Sequence, residues 1–210
     1  MKELQEIYLT KISEALNRLS VCERLIDLHS KSNDIYELES AALQIRKALE
    51  AVAFAAIAPN KIEYASFRAG AERNPDYTKD YNARSILQFL TKVNADFYPK
   101  PISGPISKGP GKWHFDRRDD SSLTKKQFER FYDRLGKHLH SDNPWGTDKG
   151  LINIVKDISK TIASTRLLLS LHFTTIRTTE FTGIWVVEAP NNGNPPKIIT
   201  GQADGDFVVT

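Results

Sequence analysis

The stretch Phe128–Trp145, FERFYDRLGKHLHSDNPW, gathers the residues with the greatest chemical reach: two arginines, two histidines, a glycine inside an apolar helical pattern and an Asn-Pro-Trp stop. An arginine can hold a phosphate through two parallel N–H donors. A histidine can take up or release a proton near neutral pH. Together they suffice for metal-independent RNA cleavage, in which the substrate's own 2′-hydroxyl attacks the adjacent phosphate. Metal chemistry lacks a comparable set. His138 and His140, two apart on a helix, point about 200° from one another, and no cysteine or carboxylate cluster completes a tetrahedral site. The sequence also carries no HExxH, no phosphate-cradling glycine loop and no nucleophile elbow. The expectation is therefore a site without metal or cofactor.

Thr124-Lys125-Lys126-Gln127 has the form of a capping box, with Leu123 and Phe128 placed as a hydrophobic staple. Phe128, Phe131, Tyr132, Leu135 and Leu139 follow at helical spacing. Asn143-Pro144 ends the pattern, because the residue before a proline is pushed away from helical dihedrals. The spacing predicts a helix from Lys125 to about His140. Arg130, Arg134 and His138 form one stripe on it, and Asp133, Lys137 and His140 line the other side of the apolar seam. Gly136 costs about 1 kcal/mol relative to alanine there, which implies a close approach by a helix, a second subunit or a ligand.

The remaining elements must position this helix. Leu4, Tyr8, Ile12, Ala15, Leu19, Cys22 and Ile26 predict a long first helix to about His29. Lys31–Asp34 is a turn, and a second helix runs to about Ala58 with Leu38, Ala42, Ile45, Leu49, Val52 and Ala56 on its seam. Arg46 and Glu50 lie four apart beside that seam, which suits either an intrahelical ion pair or a role at a site. Lys61–Tyr81 reads as a short helix and a loop, and Ala83 to about Asn94 as an amphipathic helix. The proline- and glycine-rich run from Pro99 to Lys112 predicts no regular structure, with Trp113–Phe115 as a short strand after it. A further helix spans Leu151 to about Leu169. From Leu171 the chain alternates in β-branched residues and predicts two or three antiparallel strands, with a hairpin at Asn191–Asn194. So small a sheet must lie on the helices or pair with another chain. The fold expected is mainly α: a four- to five-helix bundle over residues 1–170, with a small C-terminal antiparallel β appendage over residues 171–210.

Composition agrees with a globular protein, at 40% hydrophobic and 26% charged residues. No apolar run approaches the roughly 20 residues of a membrane span, and the amphipathic N-terminus is unlike a signal peptide. The single cysteine, Cys22, sits on the apolar phase of the first helix and is expected to pack, so a reducing cytoplasm is the expected compartment. From Lys100 to Lys137 the chain holds ten Lys/Arg against five Asp/Glu, although the whole carries only +3. This basic segment suits either a phosphate-bearing partner or a solvated loop. Arg130, Lys126, Arg117 and Arg118 are its candidates for holding RNA.

The segments QIRKALEAVAF and RLGKHLH resemble the HEPN superfamily of helical bundles, which is marked by an arginine, four to six intervening residues and a histidine. Arg134 and His140, with five residues between them, match that motif. The resemblance covers roughly residues 35–170 at the level of helices. It implies a metal-independent ribonuclease of a bacterial defence or toxin–antitoxin type, working as a homodimer with two motifs facing one cleft. It also implies an antitoxin or defence-system protein as a further partner. Arg134 would stabilise the phosphate and His140 would act as general acid or base. His138, Lys137, Glu50 and Asn143 would support them. The sequence departs from the family at Leu135, where active members usually carry Asn, Asp or His. On an ideal helix Arg134 and His140 also lie about 120° apart. Either Gly136 distorts the helix, or the pair meets only in a dimer cleft, or the site is inactive. The second expectation is a non-catalytic helical module for protein interaction.

Overall fold

A computed structural model describes residues 1–140, 145, 150, 153–177, 182–190 and 194–202. The chain is mainly helical and carries a small antiparallel sheet. Helices α1 (Lys2–Ser32) and α2 (Ile35–Ile57) form a long antiparallel hairpin. Its turn is built from two residues. Asn33 takes the left-handed conformation (φ 56°) and donates its N–H to the His29 carbonyl, 2.8 Å away. Asp34 then caps α2 by accepting from the Tyr36 N–H at 2.9 Å. Each residue satisfies backbone groups that the helix ends leave orphaned.

Helix α2 is the element around which the others are arranged. Alanines 41, 42, 48, 51, 53, 55 and 56 are buried on several of its faces, together with Leu38, Ile45, Leu49 and Val52. Over residues 48–57, where Glu50 is the one polar residue, the helix is apolar on nearly every side and belongs inside, and its small side chains let neighbours approach closely. After a single 3₁₀ turn at Ala58–Asn60 come α3 (Lys61–Ala69) and α4 (Ala83–Val93). Helices α5 (Lys125–His138) and α6 (Ile154–Ser170) follow. Helices α1, α4, α5 and α6 all contact α2.

The sheet has the order β1-β4-β5-β6, with β1 Lys100–Pro101, β4 Leu171–Arg177, β5 Thr182–Glu188 and β6 Lys197–Gly201. Strand β4 begins directly at the end of α6, and its register sets Thr174 opposite Trp185 and His172 opposite Val187. Trp185 and Val187 are buried in the same apolar cluster as the helices. Tyr8 of α1 meets the Trp185 ring edge-on, with centroids 5.7 Å apart, and hydrogen-bonds His172 at 2.7 Å. A polar relay ties the far end together. The Asn94 amide donates to Asn60 Oδ1 (2.9 Å) and to Thr175 Oγ1 (3.0 Å), joining the 3₁₀ turn after α2, the end of α4 and β4.

Two expectations are corrected. The segment Pro99–Lys112 contains strand residues: β1 joins the sheet edge by pairing Lys100 with Phe173 and Pro101 with His172. Proline is tolerated there because an edge position needs no donor on its open side. Strand β2 (Ile106–Ser107) pairs with β3 (Trp113–His114) as a separate ribbon. Helix α5 stops at His138, with Leu139 as its C-cap at φ −90°, ψ 2°, so His140 lies outside the helix. The Asn143-Pro144 stop, most of the Asn191–Asn194 turn and residues 151–152 fall outside the described residues.

Candidate functional site

Helix α5 begins with the capping box read from its sequence. Thr124 Oγ1 accepts from the Gln127 N–H at 3.3 Å, and Gln127 Oε1 accepts from the Thr124 N–H at 2.9 Å. Four apolar residues, Phe128, Phe131, Tyr132 and Leu135, are buried and fix how the helix is turned. Leu135, in the position after Arg134, is fully buried in the core.

That orientation settles what each polar residue meets. Arg134 points to α6 and pairs through Nη1 with Asp157 Oδ2; the two side chains are 41% and 39% exposed. Asp133 faces the other way, to Arg84 at the start of α4. His138 is buried, and His140 and Lys137 are exposed. Lys126 and Arg130 are exposed on the same helix, and Arg117 is exposed beyond β3. Arg118 behaves differently. Its guanidinium donates to the Leu167 carbonyl and to Ser170 Oγ (3.3 Å) and pairs with Asp120, so it fastens the loop to α6. Asn143 lies outside the described residues.

The approach implied by Gly136 is made by Arg46 of α2. A Cβ built on Gly136 would come within 3.0 Å of Arg46 Nη1. The guanidinium lies over the Tyr132 ring, 3.9 Å from its centroid, and donates to the Tyr132 carbonyl (3.1 Å) and to its hydroxyl (2.7 Å). The same hydroxyl donates to Glu50 Oε1 at 2.8 Å, and Glu50 pairs with Arg46 Nε at 3.3 Å. The intrahelical ion pair is thus present, and it is part of a clamp between α2 and α5. Burial, and then the Glu50 carboxylate, push the Tyr132 phenol up to about 12, so it stays protonated and donates. Tyr132 reads from sequence as one more apolar seam position, and nothing in the local pattern gives it a polar partner. The same is true of Asp157 as partner of Arg134.

Chemically, the region offers a half-exposed arginine, an exposed histidine past the helix end and exposed cations along one helix. Among the described residues no group of three His, Cys, Asp or Glu is placed to hold a metal ion. No described helix is long and apolar enough to cross a membrane. No family model matches the chain, and neither a curated protein nor a solved structure is found to resemble it.

Proposed function

We propose that this chain is a HEPN-like, metal-independent ribonuclease, with Arg134 stabilising the phosphate and His140 moving the proton. The observation that carries the reading is the end of α5 at His138. Because His140 stands beyond the C-cap, its direction is not tied to the helical phase of Arg134. Arg134 is half-exposed, and an ion pair as open as the one with Asp157 is worth only about 0–1 kcal/mol. A phosphodiester can therefore compete with Asp157 for the guanidinium.

In the reaction the 2′-oxygen bonds to phosphorus while the bond from phosphorus to the 5′-oxygen breaks. One group must accept the 2′-hydroxyl proton and another must supply a proton to the departing 5′-oxygen. Two chains facing one another supply two copies of His140 for these roles, so the working form is a homodimer. Arg130, Lys126 and Arg117 would draw the RNA backbone to the cleft. A cytoplasmic setting, and an antitoxin or defence-system protein as partner, belong to the same reading.

The experiment is cleavage of a labelled RNA by purified protein in the presence of a chelator. Products should end in 2′,3′-cyclic phosphate, and Arg134→Ala and His140→Ala should each lose roughly 10²–10⁴-fold in rate while keeping the helical circular dichroism of the parent. Sedimentation at micromolar concentration should give a dimer. The reading is abandoned if the folded variants cut as well as the parent, or if the parent leaves RNA intact.

A second reading, a non-catalytic helical module for protein interaction, is favoured by one observation. Leu135 is wholly buried where active members of the resembled superfamily usually carry Asn, Asp or His, so no polar side chain there assists Arg134.

A further inference from the structure

A second polar site lies between α3, the loop after it and α4, around a cavity of about 400 Å³. Its floor is an arginine already bound to the protein. Arg68 is only 5% exposed and lies over the Phe89 ring, 4.5 Å from its centroid. It holds Asp80 through two bonds, Nε to Oδ2 at 2.9 Å and Nη2 to Oδ1 at 3.0 Å, and donates to the Asn74 carbonyl at 2.6 Å. The Tyr64 hydroxyl donates to the same carboxylate at 2.8 Å. Asp80 therefore neutralises Arg68 and has little charge left to offer a ligand.

Beside the neutral Asn74, Asn82 and Ser85, what remains around the cavity is cationic and aromatic. Arg73 is exposed and has no hydrogen-bond or ion-pair partner among the described residues. Lys79 lies 3.5 Å from Asp76 in a pair open to water, which is worth little. The Tyr81 ring is 79% exposed at the rim. An exposed aromatic face beside cations that have no strong partner is the arrangement that holds single-stranded nucleic acid, one stacking the base and the other meeting the phosphate. The volume lies within the range of small-molecule sites and suits one nucleotide.

We propose that this cavity binds one nucleotide unit, its phosphate against Arg73 and Lys79 and its base on Tyr81. The choice of ligand rests on the RNA-cleaving reading; Arg84, one residue before Ser85 of the cavity lining, pairs with Asp133 on the side of α5 that faces away from Arg134. Nothing in the local sequence points to the site, because Arg68 and Asp80 meet only when the loop closes on α3.

The test measures binding of a labelled 2′-O-methyl oligouridylate, which lacks the attacking hydroxyl, across a salt series. Uridine 5′-monophosphate is titrated in parallel. Tyr81→Ala should weaken oligomer binding by about 5- to 150-fold. The double variant Arg73→Gln/Lys79→Gln should reduce the slope of log affinity against log salt by roughly 0.7, the value for one phosphate contact on a single strand. All three positions are exposed, so these variants should fold, which circular dichroism checks. Weakening in both ligands assigns the site to free nucleotide as well as RNA, and weakening in the oligomer alone assigns it to RNA. The inference is overturned if neither ligand binds the parent, or if both variants bind like the parent. A parent that binds in this way without cleaving RNA overturns the catalytic reading alone. A parent that cleaves RNA while these variants bind unchanged overturns the cavity alone.

Discussion

Protonation of His172 should dominate the way stability falls as the pH drops below neutral. The ring is wholly buried on β4, and its two nitrogens have different partners. The Leu169 carbonyl, 3.1 Å from Nδ1, can only accept, so Nδ1 carries the proton and Nε2 accepts from the Tyr8 hydroxyl at 2.7 Å. Burial holds the Tyr8 phenol well above its ordinary range, so it remains a donor. Burial likewise pulls His172 down to about 4; the Leu169 carbonyl opposes this and Arg118 adds to it. The sign follows from proton uptake. Between pH 6.5 and about 4 the unfolded chain binds a proton at this histidine and the folded chain does not. Stability is therefore complete above about 6.5 and is lost as the pH falls toward 4. By linkage the loss between pH 7.5 and pH 5 amounts to about 2 kcal/mol. The assay is urea unfolding of the parent and of His172→Gln at several pH values, since carboxylates elsewhere affect both proteins alike. At pH 7.5 the parent should lead by about 1–3 kcal/mol, the cost of a broken buried hydrogen bond. That lead should shrink by about 2 kcal/mol at pH 5. A lead that stays constant over this range would refute the account of His172 as a neutral, buried hydrogen-bonding group.

Three further outcomes concern packing. Tyr132→Phe removes a hydroxyl bonded to both Arg46 and Glu50, and should destabilise by about 1.5–3 kcal/mol in urea unfolding, near the upper range for bonds to charged groups. Gly136→Val drives a branched side chain onto the Arg46 guanidinium and should cost about 1–3 kcal/mol in the same assay, despite the poor helix propensity of glycine. Trp185→Ala should cost about 3–5 kcal/mol, because the ring is 1% exposed and bridges the sheet to Tyr8 of α1. If Trp185→Ala is nearly as stable as the parent, the sheet is not anchored on the helices in the way described.

Local signals were enough to find most helices. The seam from Tyr8 to Cys22, the turn at Asn33-Asp34 and the capping box at Thr124 are each written within a few residues, because helical periodicity and capping are short-range effects. The alternation after Leu171 likewise announced strands, since successive side chains in a strand face opposite ways. Tertiary structure decided the rest. Arg46 and Tyr132 are 86 residues apart, and only the crossing of α2 and α5 puts a guanidinium against Gly136. Lys100-Pro101 forms a strand because the edge of β4 is there to pair with it, which no preference of a proline-rich segment reveals. The direction of Arg134 toward Asp157 was fixed by the burial of Leu135 and its apolar neighbours. Polar side chains take whatever partner the packing of apolar faces brings near, so their chemistry becomes visible only once those faces have met.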